Sequence, residues 1–474
     1  MAHTSFSHEN HNDDRLLQQP RALRRLGRLL KLLTRHPAVR GNSSLCEPAQ
    51  QEVRMAQLLF PHDYQDDARL NRIFSDRARL PRFLRGLHER LTGLPDPRQP
   101  ARATTPLRVL AADIGWLAGF SATAAAGAAI AHADPLSVTG PLAALISAYA
   151  SLGVVGRLRR LVVGHAHEAA HGVIAAFYRE RGVAKARARS LNEWVLDIGT
   201  ALTLTRNGLD YRRSHGPHHD TDKLGTLRDP DGMDLHSWRL WRGLGIRSLR
   251  LELLLTALDP FWHAGMIWAR LKSNFATGRR SRRLMALPPL LLVVASAAVL
   301  PLPVWLMAIG LPWTVGYNIA ALLQVVTEHP YAQSGAANDH AAHAARNWDR
   351  VPVDPLPASD LTGFAKARAW TVFTARLLAL HIPARLAVLD SSMIAHAWHH
   401  MAWPTGHRFF DWWETPRREL EARRAGTLPR AAATRVLFGL GEAIALQAVQ
   451  FAKAQAAEAA TTDAEPGEQD GSGI

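Results

Sequence analysis

Residues 141–171 read PLAALISAYASLGVVGRLRRLVVGHAHEAAH. From Pro141 to Gly156 there is no charge, and Arg157, Arg159 and Arg160 follow. Such an order suits a helix that leaves the hydrocarbon at a cationic belt. If the helix runs on past the headgroups, it delivers His165, His167 and His171 beyond the surface. His167 and His171 are four residues apart, so a helix sets their imidazoles on one face, a turn apart. This one stretch therefore predicts both a membrane span and a pair of metal ligands at its end.

Two further clusters repeat the theme. His215-Gly216-Pro217-His218-His219 and His396-Ala397-Trp398-His399-His400 both read HxxHH. On a helix each can aim three imidazoles the same way, and the eight histidines of the three clusters are enough for two metal ions. Neutral imidazole suits Zn, Cu, Fe and Ni. The single cysteine, Cys46, excludes an internal disulfide, a CxxC redox pair and a Cys-ligated cluster. Any metal here sits on nitrogen and oxygen, and any electrons come from another protein or a bound cofactor. The scattered His8, His11, His36, His236 and His263 are read as ordinary surface or core residues.

The chain has 474 residues and a net charge of +15, with a mean hydropathy of −0.10. That average hides segregation into apolar blocks flanked by arginine. Ile114 to Ala131 is a first apolar run, rich in Gly and Ala, which suits close helix packing in lipid. Pro288 to Ile309 is a third run, Gly310-Leu311-Pro312 a tight break, and Pro312 to Thr327 a fourth run. Leu251 to Ala269 is interrupted by Glu252, Asp259, Pro260 and His263 and is read as interfacial. The connector after the first run and the break after the third lack Lys and Arg, whereas the other flanks carry Arg. By the positive-inside tendency both termini and all three clusters face the cytoplasm.

The fold expected is therefore all-α and integral to a membrane, the cell inner membrane, with four transmembrane helices and a cytoplasmic helical cap carrying the histidines. Residues 1–108 form a basic N-terminal region, 109–410 the membrane domain, and 411–474 an amphipathic helix with a polar tail expected to be disordered. Residues 21–40 are read as a basic amphipathic helix. Residues 1–20 are polar, are expected to be disordered and carry no secretory signal pattern. The basic cytoplasmic face suits anionic headgroups, acyl-CoA or an acidic electron carrier, and nucleic acid is not an expected partner.

Two other functions fit parts of the sequence. His167-Glu168-Ala169-Ala170-His171 satisfies HExxH, a zinc-protease signature with Glu168 as general base, but it leaves both HxxHH clusters unexplained. A non-catalytic metal carrier or sensor would need polar residues along the spans as an ion path, and the four runs offer almost none.

Taken together, the clusters resemble the three histidine boxes of the membrane fatty acid desaturase superfamily, which also holds hydroxylases and carotenoid ketolases. The boxes match His167/His171, His215/His218/His219 and His396/His399/His400. Thr221 and Asp229-Pro230-Asp231 after the second box, and Met401-Ala402-Trp403-Pro404 after the third, resemble the family's flanks. The likeness covers roughly residues 110–410. It implies two iron ions, O2 as co-substrate and an electron donor such as a ferredoxin, rubredoxin or cytochrome b5-like protein. It further implies insertion of a C=C bond into a membrane lipid or acyl chain, or hydroxylation of it. No stretch resembles a fused donor module. The resemblance adds His329, after the fourth span, as a ninth ligand. Val325 stands where some relatives have a water-holding Asn, and Gln324 is a substitute for it. His165 is an alternative to His167 or a supporting residue. Glu168, Asp220, Asp222, Asp229, Asp231 and Glu328 are candidate acceptors for imidazole N–H groups, and His165, Glu168, Gln324 and Glu328 are also candidates for additional metal ligands.

Overall fold

The computed structural model describes residues 67–96, 104–220, 222–240, 245–331, 347–389, 395–402, 414–427 and 436–463. The expectations for residues 1–20 and 21–40, and those on Thr221 and Trp403-Pro404, lie outside these.

The helices before the membrane are α1 (Asp67–Arg79) and α2 (Arg82–Thr92), followed by α3 (Pro106–Ala133) and α4 (Thr139–Ala170). Next come α5 (Val173–Glu180), α6 (Lys185–Leu202), α7 (Gly208–His218), α8 (Pro230–Ser237), α9 (Ile246–Leu258) and α10 (Pro260–Lys272). A second long pair follows, α11 (Arg280–Val299) and α12 (Leu302–Glu328). The remainder is β1 (Asp349–Val351), α13 (Gly363–Arg376), α14 (Ile382–Ala387), α15 (His396–Ala402), α16 (Glu414–Arg424), β2 (Val436–Phe438) and α17 (Gly439–Asp463). β1 and β2 pair in parallel, and the other described elements are helical.

Among the described residues, four helices, α3, α4, α11 and α12, are long and apolar enough to cross a membrane. The helices α9 and α10, broken at Asp259-Pro260, are not among them. Helices α3 and α4 pack through small residues: Ser147 donates to the Ala124 carbonyl at 2.7 Å, and Gly127 lies against the Ala143 backbone. Gly156 is required for another close approach, because the Leu386 carbonyl of α14 occupies the place of a Cβ.

The expected break after the third run is misplaced. Helix α11 ends at Val299 and the chain turns at Leu300-Pro301, whereas Gly310-Leu311-Pro312 lies inside α12. Pro301 disfavours helical backbone at Leu300, which is extended at ψ 145°, and Pro303 is harmless because first-turn N–H groups have no intrahelical partner. Around Pro312 the helix widens into two π turns, Leu306–Gly310 and Pro312–Gly316, which absorb the missing donor.

Arg270 of α10 secures this irregular segment. Its guanidinium donates to the carbonyls of Trp313 (2.9 Å), Thr203 (2.8 Å) and Leu204 (3.1 Å) and to the Asn318 side chain (3.3 Å). The cation also lies 4.6 Å from the centre of the Tyr317 ring. Arg270→Met keeps the apolar stem but strands buried acceptors worth about 1–3 kcal/mol each. The variant is expected to lose about 3 kcal/mol, read as a lower unfolding midpoint in detergent.

Helix α4 is the longest of the described helices, at 32 residues. That is about 48 Å, more than the about 30 Å of hydrocarbon that a span needs to cross. At the C-terminal end of α12, Trp348 Nε1 donates to the Thr327 carbonyl (2.5 Å), and Arg350 donates to Thr327 Oγ1 (2.8 Å) and the Gln324 carbonyl (3.4 Å). These bonds cap α12, whose final carbonyls lack intrahelical donors.

Helix α17 is a core element. Ala448 and Phe451 are buried against Leu322, Val326 and Tyr331 from α12 and its C-terminal extension, and Leu249 and Leu253 of α9. It runs to Asp463, into the stretch expected to be a disordered tail. Glu442 near its start takes a two-pronged bond from Arg69 of α1, at 2.7 and 3.1 Å.

Candidate metal centre

Box one lies where α4 leaves its regular course. Leu161–Ala166 forms a π turn, and His167–Ala170 resumes the α form. One extra residue in a turn rotates everything after it. His165 thereby faces Asp113 of α3, with Nε2 to Oδ2 at 2.7 Å, instead of joining the other imidazoles. The same carboxylate binds Arg160 (2.6 Å) and Arg157 (2.8 Å). Gly172, at φ 75°, then ends the helix, a left-handed position that glycine takes without strain. Asn192 of α6 ties off this end, donating to the Ala169 carbonyl (2.8 Å) and accepting from Ala175 N (3.3 Å).

Box two occupies α7. Its start is fixed by Asn207, whose side chain accepts from Leu209 N and Asp210 N. Box three is α15 itself. His329 follows the end of α12 in extended conformation, with φ −134° and ψ 157°.

Nine histidines from these four places gather in two groups. His167, His171, His215, His219 and His399 form one, and His218, His329, His396 and His400 the other, with the ligand atoms of each within 4.8 Å of one another. The sequence expectation that each HxxHH aims all three rings together needs correction. His215 and His219 go to the first group and His218 to the second; His399 goes to the first, and His396 and His400 to the second. Helix geometry explains the division. Residues i and i+4 differ by about 40° around the axis, whereas i+3 and i+4 differ by about 100°. One HxxHH helix thus feeds two neighbouring centres. The groups adjoin: the His219 and His400 rings stack at 4.3 Å, and those of His215 and His218 lie 5.5 Å apart.

The spacing fits metal ions. In the first group, His215 Nε2 lies 3.0 Å from both His171 Nε2 and His219 Nε2. In the second, His218–His329, His329–His396 and His396–His400 are 2.9, 3.0 and 3.1 Å apart through Nε2. Nitrogens about 2.1 Å from one ion and at right angles are about 3.0 Å apart. Hydrogen bonding alone accounts poorly for this, since a neutral imidazole has one N–H. His215, His329 and His396 each set one Nε2 against two others.

Asp229 orients the second group. Fully buried, it accepts from His218 Nδ1 (3.0 Å), from Gly225 N (3.0 Å) and from Asp231 N (3.0 Å) as cap of α8. Asp231 lies 3.5 Å from the same Nδ1. A carboxylate on Nδ1 fixes the tautomer that leaves Nε2 for metal. Glu168 is 3.9 Å from His167 Nδ1. Glu328 lies 3.2 Å from His396 Nε2, and Gln324 donates to both Glu328 oxygens at 3.2 and 3.3 Å. The other acidic candidates lie apart: Asp220 pairs with Lys223 and Asp222 with Arg228. Sequence reasoning missed Asp113 and Asn192. Asp113 left a signal, a lone acid at the edge of an apolar run; a mid-helix Asn leaves none.

Burial, foremost, and nearby positive charge hold His215, His219, His396 and His400 well below the ordinary histidine pKa. His218 is the opposite: burial pulls it down, but Asp229 and Asp231 outweigh it and raise it to about 10. In the metal-free chain the four depressed imidazoles stay neutral when folded and bind protons at about 6.5 when unfolded. The stability they contribute is present above that pH and lost as pH falls below it. His218 has the reverse sign: its contribution is full below about 6.5 and is lost progressively as pH rises to about 10. Four groups outweigh one, so the unfolding midpoint of the chelator-treated protein is expected to drop between about pH 7 and pH 5.

Comparison with known proteins agrees with this geometry. No curated protein and no solved structure matches the chain. The family model described as fatty acid desaturase matches residues 139–382, more than half of the 474 residues. The match takes in box one, box two and His329 and stops short of box three, which the fold brings to the same place. A membrane-spanning chain with this match and these histidine groups belongs to the fatty acid desaturase family.

Proposed function

We propose that the protein is a di-iron lipid desaturase that uses O2 and external electrons to insert a C=C bond into a fatty acyl chain. His167, His171, His215, His219 and His399 would hold one iron, and His218, His329, His396 and His400 the other. When bound, the iron pair supplies the power to remove hydrogen from an unactivated C–H bond. The observation that carries this reading is the convergence of nine imidazoles in two adjoining groups at the arginine-bearing end of α4.

The chain's own residues supply placement and dryness. Asp229 keeps His218 turned so that Nε2 is presented. His167, His218, His329, His396, His399 and His400 are buried, so water is kept from the reacting centre. The walls are apolar: Leu161, Ala166, Ala169 and Ile174 pack behind box one, and Leu322, Val326 and Tyr331 behind His329. An acyl chain already dissolved in the bilayer needs only to be positioned.

The arginine flanks support an orientation with the site and both termini on the cytoplasmic side of the cell inner membrane. The donor is a separate protein of the ferredoxin, rubredoxin or cytochrome b5-like kind, and the single cysteine supports this. The zinc-protease reading is disfavoured, since catalytic zinc takes three protein ligands and His167 and His171 share their group with three more imidazoles.

Lipid extracts from a host expressing the protein test the proposal. Acyl chains lighter by two hydrogens are expected. A gain of one oxygen would make it a hydroxylase or ketolase of the same superfamily, and unchanged lipids with proteolysis would overturn both.

A further inference from the structure

Three arginines follow the apolar run of α4, and two of them are paired. Arg157 and Arg160 share the Asp113 carboxylate. Arg159 differs. A belt arginine ordinarily faces headgroups, yet this one is 5% exposed. It turns into the seam between α4 and α12, where Val154 and Leu158 pack with Trp313 and Tyr317. Among the described residues it makes neither a hydrogen bond nor an ion pair, and its Nε is sealed from solvent.

Its guanidinium carbon lies 5.2 Å from the centre of the Tyr317 ring. That ring is already shared, because the Arg270 cation lies 4.6 Å from the same centre. Arg270 has neutral acceptors for its N–H groups, the carbonyls of Trp313, Thr203 and Leu204 and the Asn318 side chain. Arg159 has none. A guanidinium keeps its proton in proteins, and burying one unpaired costs more than half a share in an aromatic face returns. Two cations on one ring, with no carboxylate bound to either, concentrate positive charge in apolar surroundings. Such a place attracts an anion.

Position links that anion to the histidine groups. The Arg159 charge is felt at Tyr211 of α7, whose ring stacks on His215 with centres 5.5 Å apart. His167 is eight residues further along the same helix, about 12 Å at the helical rise. Both walls of the seam, α4 and α12, are helices able to cross a membrane, so the molecules beside it are lipids. The oxyanions that lipids carry are carboxylates and phosphates.

We propose that Arg159 binds the oxyanion of the lipid substrate, a carboxylate or a phosphate, in the seam of α4 and α12, with the acyl chain running on to the histidine groups. The guanidinium fork suits two oxygens at once. The substrate class is then an anionic lipid. This deepens the desaturase reading above and rests on it.

The test uses the full chain in an uncharged maltoside detergent, with octadecyl phosphate, stearate, octadecanol and inorganic phosphate as probes, read by equilibrium binding and by the unfolding midpoint. The wild type is expected to bind octadecyl phosphate or stearate at least about tenfold more tightly than octadecanol. R159M is expected to bind all three chains alike. Without any probe its midpoint should equal or exceed that of the wild type, because the substitution removes an unpaired buried charge. R159M that keeps the preference for charged chains overturns the proposal. So does a lower midpoint without probe, which would make Arg159 a structural residue. Should R159M not fold, R159Q is read in the same way, and the wild type decides without any variant: octadecanol bound as tightly as both charged chains overturns the proposal. Inorganic phosphate that raises the midpoint as much as octadecyl phosphate overturns the assignment to a lipid. Lipid profiling separates this proposal from the reading beneath it. Products formed by a wild type without charge preference remove Arg159 and leave the desaturase standing, whereas charge preference without products removes the desaturase and leaves the anion site.

Discussion

His399→Ala is expected to abolish product formation, by more than the about 100-fold seen when only a supporting residue of a metal ligand is lost. The protein should still insert in the membrane. His399 is the one residue of box three that enters the five-imidazole group. It also lies against His167 and His171, with ring centres at 4.3 and 5.1 Å. Removing it opens that group, while His396 and His400 remain with the other. Metal content should therefore fall from two ions to about one, not to zero. Retained turnover in this variant, by the same lipid assay, would count against the di-iron reading. So would loss of both ions from a chain that is still folded.

Asp113→Leu is expected to destabilise the protein by about 3–5 kcal/mol, the usual cost of breaking a buried ion pair. Asp113 and Arg160 are 3% and 2% exposed, and the carboxylate also serves Arg157 and His165. Its loss leaves two guanidinium groups without their common anion beside the π turn that aims box one. A lowered unfolding midpoint in detergent checks the size of the effect. Asp113→Asn, which keeps shape and one acceptor, should lose less. If neither variant moves the midpoint, the cluster is not what holds α3 to α4 at this end.

The separate parts of this molecule were legible in the chain. Uncharged runs between arginines announce spans, because hydrocarbon tolerates no unpaid charge over about 20 residues. His167 and His171, and each HxxHH, announce ligand sets by helical spacing alone. What misled was local chemistry that neighbours override. Gly310-Leu311-Pro312 looks like a break, yet π turns and Arg270, from another helix, let α12 pass through it. The Ala- and Leu-rich stretch that became α17 reads as an amphipathic helix before a polar tail, yet it buries Phe451 against Leu322, Val326 and Tyr331.

The sequence by itself determined that the protein spans a membrane and carries imidazoles in helical register, since both depend only on residues close together in the chain. Only the tertiary structure decided how the nine imidazoles divide, that His165 turns to Asp113, and that Glu328 stands at His396. Those outcomes depend on helix rotation, on a π turn and on contacts between residues up to a few hundred positions apart. No local pattern encodes such a separation.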